Sequence, residues 1–230
     1  MRLSDSMEDY LKGIYHLQYG SDDRVRTAEI AEELDVTPPT VTSMLDKLED
    51  RGLVDREKYK GVRLTEKGET VALEVIRHHR LLETFLTEHL DYDWAEVHEE
   101  ADRLEHHISE EFVDRIATVL NHPEIDPHGD PIPGVDLEAP ATSDADAVSS
   151  CEAGDVVVVE RVSDRDPEVL EYLAERGIEP GSELEIVEVA PFGMITARTA
   201  GSDAPVSLPE RIARDVHVSE HAEATDAIDA

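Results

Sequence analysis

Between His78 and His107 the chain places six of its eleven histidines among carboxylates. His79 and Glu83 are four residues apart. Asp102, Glu105 and His106 stand at i, i+3 and i+4, and His98 lies one turn before Asp102. On a helix these spacings put the members of each group on one face. Imidazole nitrogens and carboxylate oxygens that converge in this way suit a divalent cation such as Mn²⁺ or Fe²⁺. Spacing alone leaves a second reading open, in which an acidic helical surface carries solvated carboxylates with histidines scattered among them.

The elements that must position these residues read as helices. Apolar periodicity predicts one helix over 66–90, a second from Asp93 to about His107, and a third from Ser109 to about Asn121. Their apolar stripes are wide for one small domain, so part of that surface is available to a second copy of the chain. Upstream, Met7, Tyr10, Leu11, Ile14, Tyr15 and Leu17 form the stripe of a helix over 4–19. Thr27–Leu34 is a short helix, and Asp35-Val36-Thr37 makes a turn. Pro38 and Pro39 open a third helix, where proline is tolerated, and Gly52 ends it. Helix, tight turn, then a helix with small polar residues early is the helix-turn-helix pattern.

Residues 53–65 alternate as a hairpin with Lys60-Gly61 at its turn, a wing. Thr37, Pro39, Thr40 and Ser43 lie at the front of the recognition helix, where base edges or thymine methyls are met. Lys47, Arg51, Arg56, Lys58, Lys60 and Arg63 suit phosphate contacts, which position a protein on DNA without reading sequence. A DNA-reading unit beside the histidine-carboxylate cluster favours the cation reading of that cluster.

Charge supports the division. The net charge is −34, yet all five lysines fall in the first 67 residues. Residues 1–70 carry 11 basic and 16 acidic side chains, and residues 71–230 carry 10 and 39. Positive charge is held in the N-terminal third against a strong acidic bias. The bias itself resembles that of a halophile's protein, whose negative surface stays hydrated and screened in a salt-rich cytoplasm. A single cysteine, Cys151, excludes a disulfide framework or a cysteine zinc site within one chain. With no apolar run near 18 residues and no signal-peptide pattern, a soluble cytoplasmic protein without membrane contact is expected.

Residues 135–151 read as a polar, alanine-rich linker with nothing to pack. Short strands around a helix at 166–178 then suggest a small β-barrel over 152–218. The tail 219–230 is expected to be disordered.

Six strings appear in order: SMEDYLKGIY, VTPPTVTSMLDKLEDRGLV, KYKGVRLTEKG, HHRLLETFL, VHEEADRLEHH and GDPIPG. Together they resemble the diphtheria-toxin-repressor and manganese-transport-regulator family of metal-activated, homodimeric transcriptional repressors. The resemblance implies a winged helix-turn-helix DNA-binding domain (1–70) and a helical metal-binding and dimerisation domain (71–134). After the linker it implies an SH3-like, or FeoA-like, domain. It implies one ligand set of Asp9, Asp102, Glu105 and His106 and another of His79, Glu83 and His98, with a further ligand near Asp166, whose neighbours are Asp164 and Glu168. Manganese-type members carry a glutamate where this chain has Lys12, so two separate sites are favoured over a binuclear one. Carboxylates at Asp9 and Asp102, where iron-type members have sulfur, make the first set hard, which favours Mn²⁺ while remaining compatible with Fe²⁺.

The expected function is therefore Mn(II)-activated repression of metal-uptake genes through a palindromic operator, by a protein that is not an enzyme. The alternatives are an Fe(II)-dependent regulator of iron homeostasis, a metal-independent winged-helix regulator, a metal-dependent hydrolase and a metal buffer.

Overall fold

The computed structural model of the chain describes residues 3–18, 23–140, 145–201 and 204–220. They form two compact units. The first comprises Met1–Phe85, Glu99–Glu124 and Pro131–Thr142, and the second Leu86–His98, Ile125–Asp130 and Ser143–Ala230.

The first unit begins with α1 (Asp5–Gln18), α2 (Thr27–Glu33) and α3 (Pro38–Asp50). The apolar stripe of α1 is buried at Met7, Tyr10, Leu11, Ile14 and Tyr15, in one core with Ile30, Val41, Leu45 and Leu48. Asp35 takes a positive φ of 46° in the turn between α2 and α3, and Thr37 stands as the N-cap before Pro38 and Pro39. The wing is the antiparallel pair β1 (Val54–Glu57) and β2 (Gly61–Leu64), with Val54 opposite Leu64. Gly61 is required here. It has φ 113°, and a Cβ would lie 2.3 Å from the carbonyl oxygen of Val25.

The helix α4 (Glu66–Leu90) starts against the wing, so close that a Cβ on Gly68 would meet the Leu53 carbonyl oxygen at 1.9 Å. Its first half adds Ala72, Leu73 and Ile76 to the N-terminal core. Then come α5 (Val97–Leu104) and α6 (Glu110–Val119), the latter capped by Ser109. Leu81, Leu82, Ala101, Val113, Ile116, Ala117 and Ile132 form a second core in this unit.

The second unit is an antiparallel sheet in the order β3-β8-β4-β5-β6-β7. Its strands are β3 (Asp146–Ala147), β4 (Val156–Val162), β5 (Glu183–Val189), β6 (Ile195–Thr199), β7 (Val206–Leu208) and β8 (Val216–Glu220). Helices α7 (Pro167–Ala174) and α8 (Glu210–Asp215) bury Val169, Leu170, Leu173 and Ala213 in its core. The expected barrel is corrected to an open sheet. The two edge strands, β3 and β7, are two and three residues long, too short for the tilted ladder that closure demands, and among the described residues they do not pair.

Within the expected linker 135–151, two apolar side chains among the described residues pack. Leu137 lies against the N-terminal core, while Val148 is fully buried in the sheet unit. One apolar residue in a polar run is enough to anchor it when a strand, β3, aligns it beside β8. Ser219 and Glu220 belong to β8, and the rest of the tail lies outside the described residues.

Candidate metal centre and DNA-reading surface

Glu105 and His106 follow α5 directly, in the turn that ends it, and both face α1. His106 lies between two carboxylates of α1: its Nε2 is 2.8 Å from Asp9 Oδ1 and its Nδ1 is 2.8 Å from Glu8 Oε2. Glu105 Oε1 stands 3.4 Å from the same Nε2. Asp9, Glu105 and His106 thus offer ligand atoms within 4.8 Å of one another. Hydrogen bonding to Asp9, followed by that to Glu8, raises His106 to about 9 against the opposing effect of burial.

On the other side of Glu105 the surroundings differ. Lys12, one turn along α1 from Asp9, sends its ammonium to Asp102 Oδ1 at 2.9 Å and to Glu105 Oε2 at 2.9 Å. His79 Nδ1 lies 2.6 Å from Glu105 Oε2 and 3.3 Å from Asp102 Oδ1, and its Nε2 lies 2.9 Å from Glu83 Oε1. Lys12 Nζ is also 3.1 Å from His79 Nδ1.

Burial disfavours the charged forms here, but the charges hold one another. Glu105 and Asp102 keep Lys12 above its usual range in spite of desolvation. Glu105 would be pushed up by burial, yet hydrogen bonding to His79 and the nearby Lys12 ammonium bring it below the usual carboxylate range. His79 is desolvated too, and Glu83 with the other carboxylates holds it well above an ordinary imidazole.

The structure therefore divides the expected first set. Asp9, Glu105 and His106 come together, while Asp102 turns to Lys12 and His79. Of the second set, His79 and Glu83 meet at 2.9 Å in the first unit. In the second unit His98 Nδ1 lies 3.3 Å from Asp164 Oδ2. Asp166 is instead the N-cap of α7, accepting from the Glu168 amide and pairing with Arg211 at 2.9 Å.

Glu8 was not found from the sequence. Neighbours on a helix point about 100° apart, so a spacing rule pairs Glu8 and Asp9 with different partners. The available signal is that an imidazole has two nitrogens and takes a partner on each.

The residues expected to read DNA, Thr37, Pro39, Thr40, Ser43 and Lys47, are all exposed along α3. Thr37 Oγ1 and Thr40 Oγ1 are hydrogen-bonded at 2.8 Å, and the carbonyl of Arg51 accepts from Lys67. On the wing, Arg56 pairs with Asp46 and Glu49, Lys60 with Glu57 at 2.6 Å, and Arg63 with Asp55 at 3.1 Å. Lys58 lies 5.0 Å above the ring of Tyr59, which is 93% exposed. Exposed pairs are worth under about 1 kcal/mol, so phosphates can compete for these cations.

Three family models match the chain in order. The iron dependent repressor N-terminal DNA binding domain matches residues 2–62, and the iron dependent repressor metal binding and dimerisation domain matches 65–134. The FeoA domain matches 147–220. The iron-dependent repressor IdeR of Mycobacterium tuberculosis (strain ATCC 25618 / H37Rv) is 37% identical, covering 94% of this chain and 97% of its own. The diphtheria toxin repressor of Corynebacterium diphtheriae is 34% identical over 95% and 98%. A solved structure described as a manganese-dependent transcriptional repressor complex with manganese superposes with a TM-score of 0.86 at 41% identity, over 94% of this chain and all of that one. Among the described residues no helix is long and apolar enough to cross a membrane.

Proposed function

Since the chain belongs to the iron-dependent repressor family of metal-dependent, DNA-binding transcriptional repressors, we propose that it is a Mn(II)-activated repressor. In this reading it acts as a cytoplasmic homodimer on a palindromic operator of metal-uptake genes. The observation that carries the reading is the meeting of Asp9 on α1 with His106 beyond α5 at 2.8 Å, with Glu105 at 3.4 Å from the same nitrogen.

The donor set fits a hard divalent cation: two carboxylates, one imidazole, no sulfur. Asp9, Glu105 and His106 would hold it, with Asp102 as a fourth donor if it leaves Lys12. His79, Glu83 and His98 are retained as a second ligand set, with Asp164 now favoured over Asp166 as the contribution of the FeoA domain, because Asp166 already serves as a helix cap. A bound cation supplies positive charge that neutralises the converging carboxylates.

The protein's own residues convert that into DNA affinity. Asp9 rides on α1, whose opposite face is packed in the core that seats α2 and α3. Glu105 and His106 ride on the end of α5. Fixing Asp9 against them fixes the reading helix relative to the dimerisation domain, and so the spacing of two recognition helices on half-sites one turn apart. Glu8, bonded to Nδ1, holds the His106 ring so that Nε2 faces Asp9, as a carboxylate does behind a metal-binding histidine. Phe112 and Val119 of α6 are 46% and 60% exposed and offer apolar surface for a second copy. Metal and operator affinity are then coupled reciprocally.

An Fe(II) reading keeps the same residues and is favoured by the IdeR relatives at 37% identity. Fluorescence anisotropy on operator DNA in molar KCl, with chelator, Mn²⁺ or anaerobic Fe²⁺, tests both. Tightening by Mn²⁺ in the native chain, absent in Asp9→Ala and His106→Ala, is expected. An equal response to Fe²⁺ would make selectivity a matter of cellular supply. Unchanged metal response in both variants would overturn the mechanism.

A further inference from the structure

A third group of donors lies in the first unit, outside both expected ligand sets. Glu74 and His78 stand at i and i+4 on α4, and Glu110 opens α6. Their ligand atoms lie within 4.8 Å of one another. His78 is 6% exposed. Its Nδ1 is 3.3 Å from the main-chain carbonyl oxygen of Glu105, which accepts a hydrogen bond from it. The other ring nitrogen, Nε2, is buried and makes no hydrogen bond, although Glu110 Oε1 is 3.1 Å away.

A buried ring nitrogen held against a carboxylate oxygen, with no hydrogen bond between them, is an arrangement that a cation resolves. A metal-binding histidine has this same form, one ring N–H given to a carbonyl and the other nitrogen directed at the ion. Glu74 adds a second carboxylate. Burial, then its hydrogen bond with Glu110, pushes it up to about 7. Arg77 is the cation nearby; its guanidinium donates to the Pro133 carbonyl at 2.7 Å and feels Glu110 and Asp114 through space.

We propose that Glu74, His78 and Glu110 form a further divalent-cation site that ties α4 to the start of α6. Through the Glu105 carbonyl it abuts the Asp9–Glu105–His106 cluster. Its donors, one imidazole and two carboxylates, are those of a site for Mn²⁺ or Zn²⁺. Residue type alone hides it, because Glu110 comes from a different helix and His78 is next to the more conspicuous His79.

The test counts cations. Full-length protein, stripped of metal, is dialysed in molar KCl against Mn²⁺ and separately Zn²⁺, and bound metal per chain is measured by mass spectrometry, with free Mn²⁺ followed by its paramagnetic resonance signal. Glu110→Gln, at an exposed position, and His78→Gln are each expected to bind one cation per chain fewer than the native protein. The site is overturned if native protein and both variants titrate identically, or if the extra cation binds only above millimolar concentration. The inference needs no operator, so failure of the repressor reading in the anisotropy experiment leaves this count to stand or fall separately.

Discussion

Glu105 is shared by two pockets that meet the same electrostatic problem in different ways. On one side, His106 is flanked by Glu8 and Asp9, and among the described residues no lysine or arginine pairs with either carboxylate. On the other, His79 faces Glu83, Asp102 and Glu105, and the ammonium of Lys12 stands 2.9 to 3.2 Å from Asp102, Glu105 and His79. The first pocket retains an excess of negative charge and calls for a cation from solution. The second already contains one, covalently attached to α1. Lys12 thus fills with its own ammonium a place between carboxylates that a residue without positive charge would leave open to an ion.

The largest effect follows from removing the built-in cation. Lys12→Ala leaves the buried Glu105 with His79 as its remaining strong partner. The metal-free protein is expected to lose roughly 3 kcal/mol, the lower end for breaking a buried pair. Added Mn²⁺ should restore most of that loss, because the vacated position lies between carboxylates. Denaturant unfolding with chelator and with Mn²⁺ reads both. Lys12→Glu goes further and should raise the Mn²⁺ count by one per chain. If Lys12→Ala is as stable as the native chain without metal, the ammonium is a surface ornament and the contrast between the pockets collapses.

Glu8 sharpens the other pocket. Glu8→Gln keeps a hydrogen-bond acceptor for Nδ1 but removes the charge behind the ring. By analogy with other carboxylates behind metal-binding histidines, Mn²⁺ affinity should fall by about 10-fold, read by competition with a fluorescent chelator, with little change in melting temperature.

The same pocket sets a pH dependence in the metal-free protein. His106 titrates near 9 when folded and near 6.5 when unfolded. A raised folded value means that its contribution is complete below about 6.5 and is lost as pH rises through about 9. Chelator-treated protein should therefore lose stability across this window, and His106→Ala should flatten the curve there. Metal affinity runs the other way, rising with pH over the same range, because the ring must give up its proton to bind.

Much of this was legible in the residues, and the exceptions have physical causes. The winged helix could be read because each of its helices carries its own apolar period and each turn its own Gly or Pro. Asp9, Glu105 and His106 were nameable, but that Asp9 meets His106 was not derivable from spacing, since they are far apart in the chain. Asp102 has the right spacing and a different partner: the pull of Lys12, three residues on from Asp9, decides it. Asp164 and Asp166 look interchangeable in sequence, yet Pro167 starts α7 and makes Asp166 its cap. Barrel closure was not readable at all, since it depends on how edge strands as short as β3 and β7 line up. Val148, alone in a polar run, was hidden for the opposite reason, being too brief a signal to register as an element.

The wing offers a weaker version of the two-pocket contrast, and the smallest effect. Arg56 already has Asp46 and Glu49 as partners, whereas Lys58 rests on the Tyr59 ring with its charge turned toward solvent. A cation that reaches a phosphate from solvent releases condensed counterions, and each such contact changes the slope of log affinity against log salt by about 0.9. Lys58→Ala should therefore make that slope shallower by about 0.9. Arg56→Ala should change it by less, because Arg56 must first leave its carboxylates, and removing it also leaves Asp46 and Glu49 uncompensated near the DNA. That repulsion should appear as weaker binding at every salt concentration, with the slope nearly preserved. Anisotropy titrations across a salt series distinguish the two. Equal slope changes would mean that the internal pairs of the wing do not hold against phosphate, and that free and paired cations serve the DNA alike.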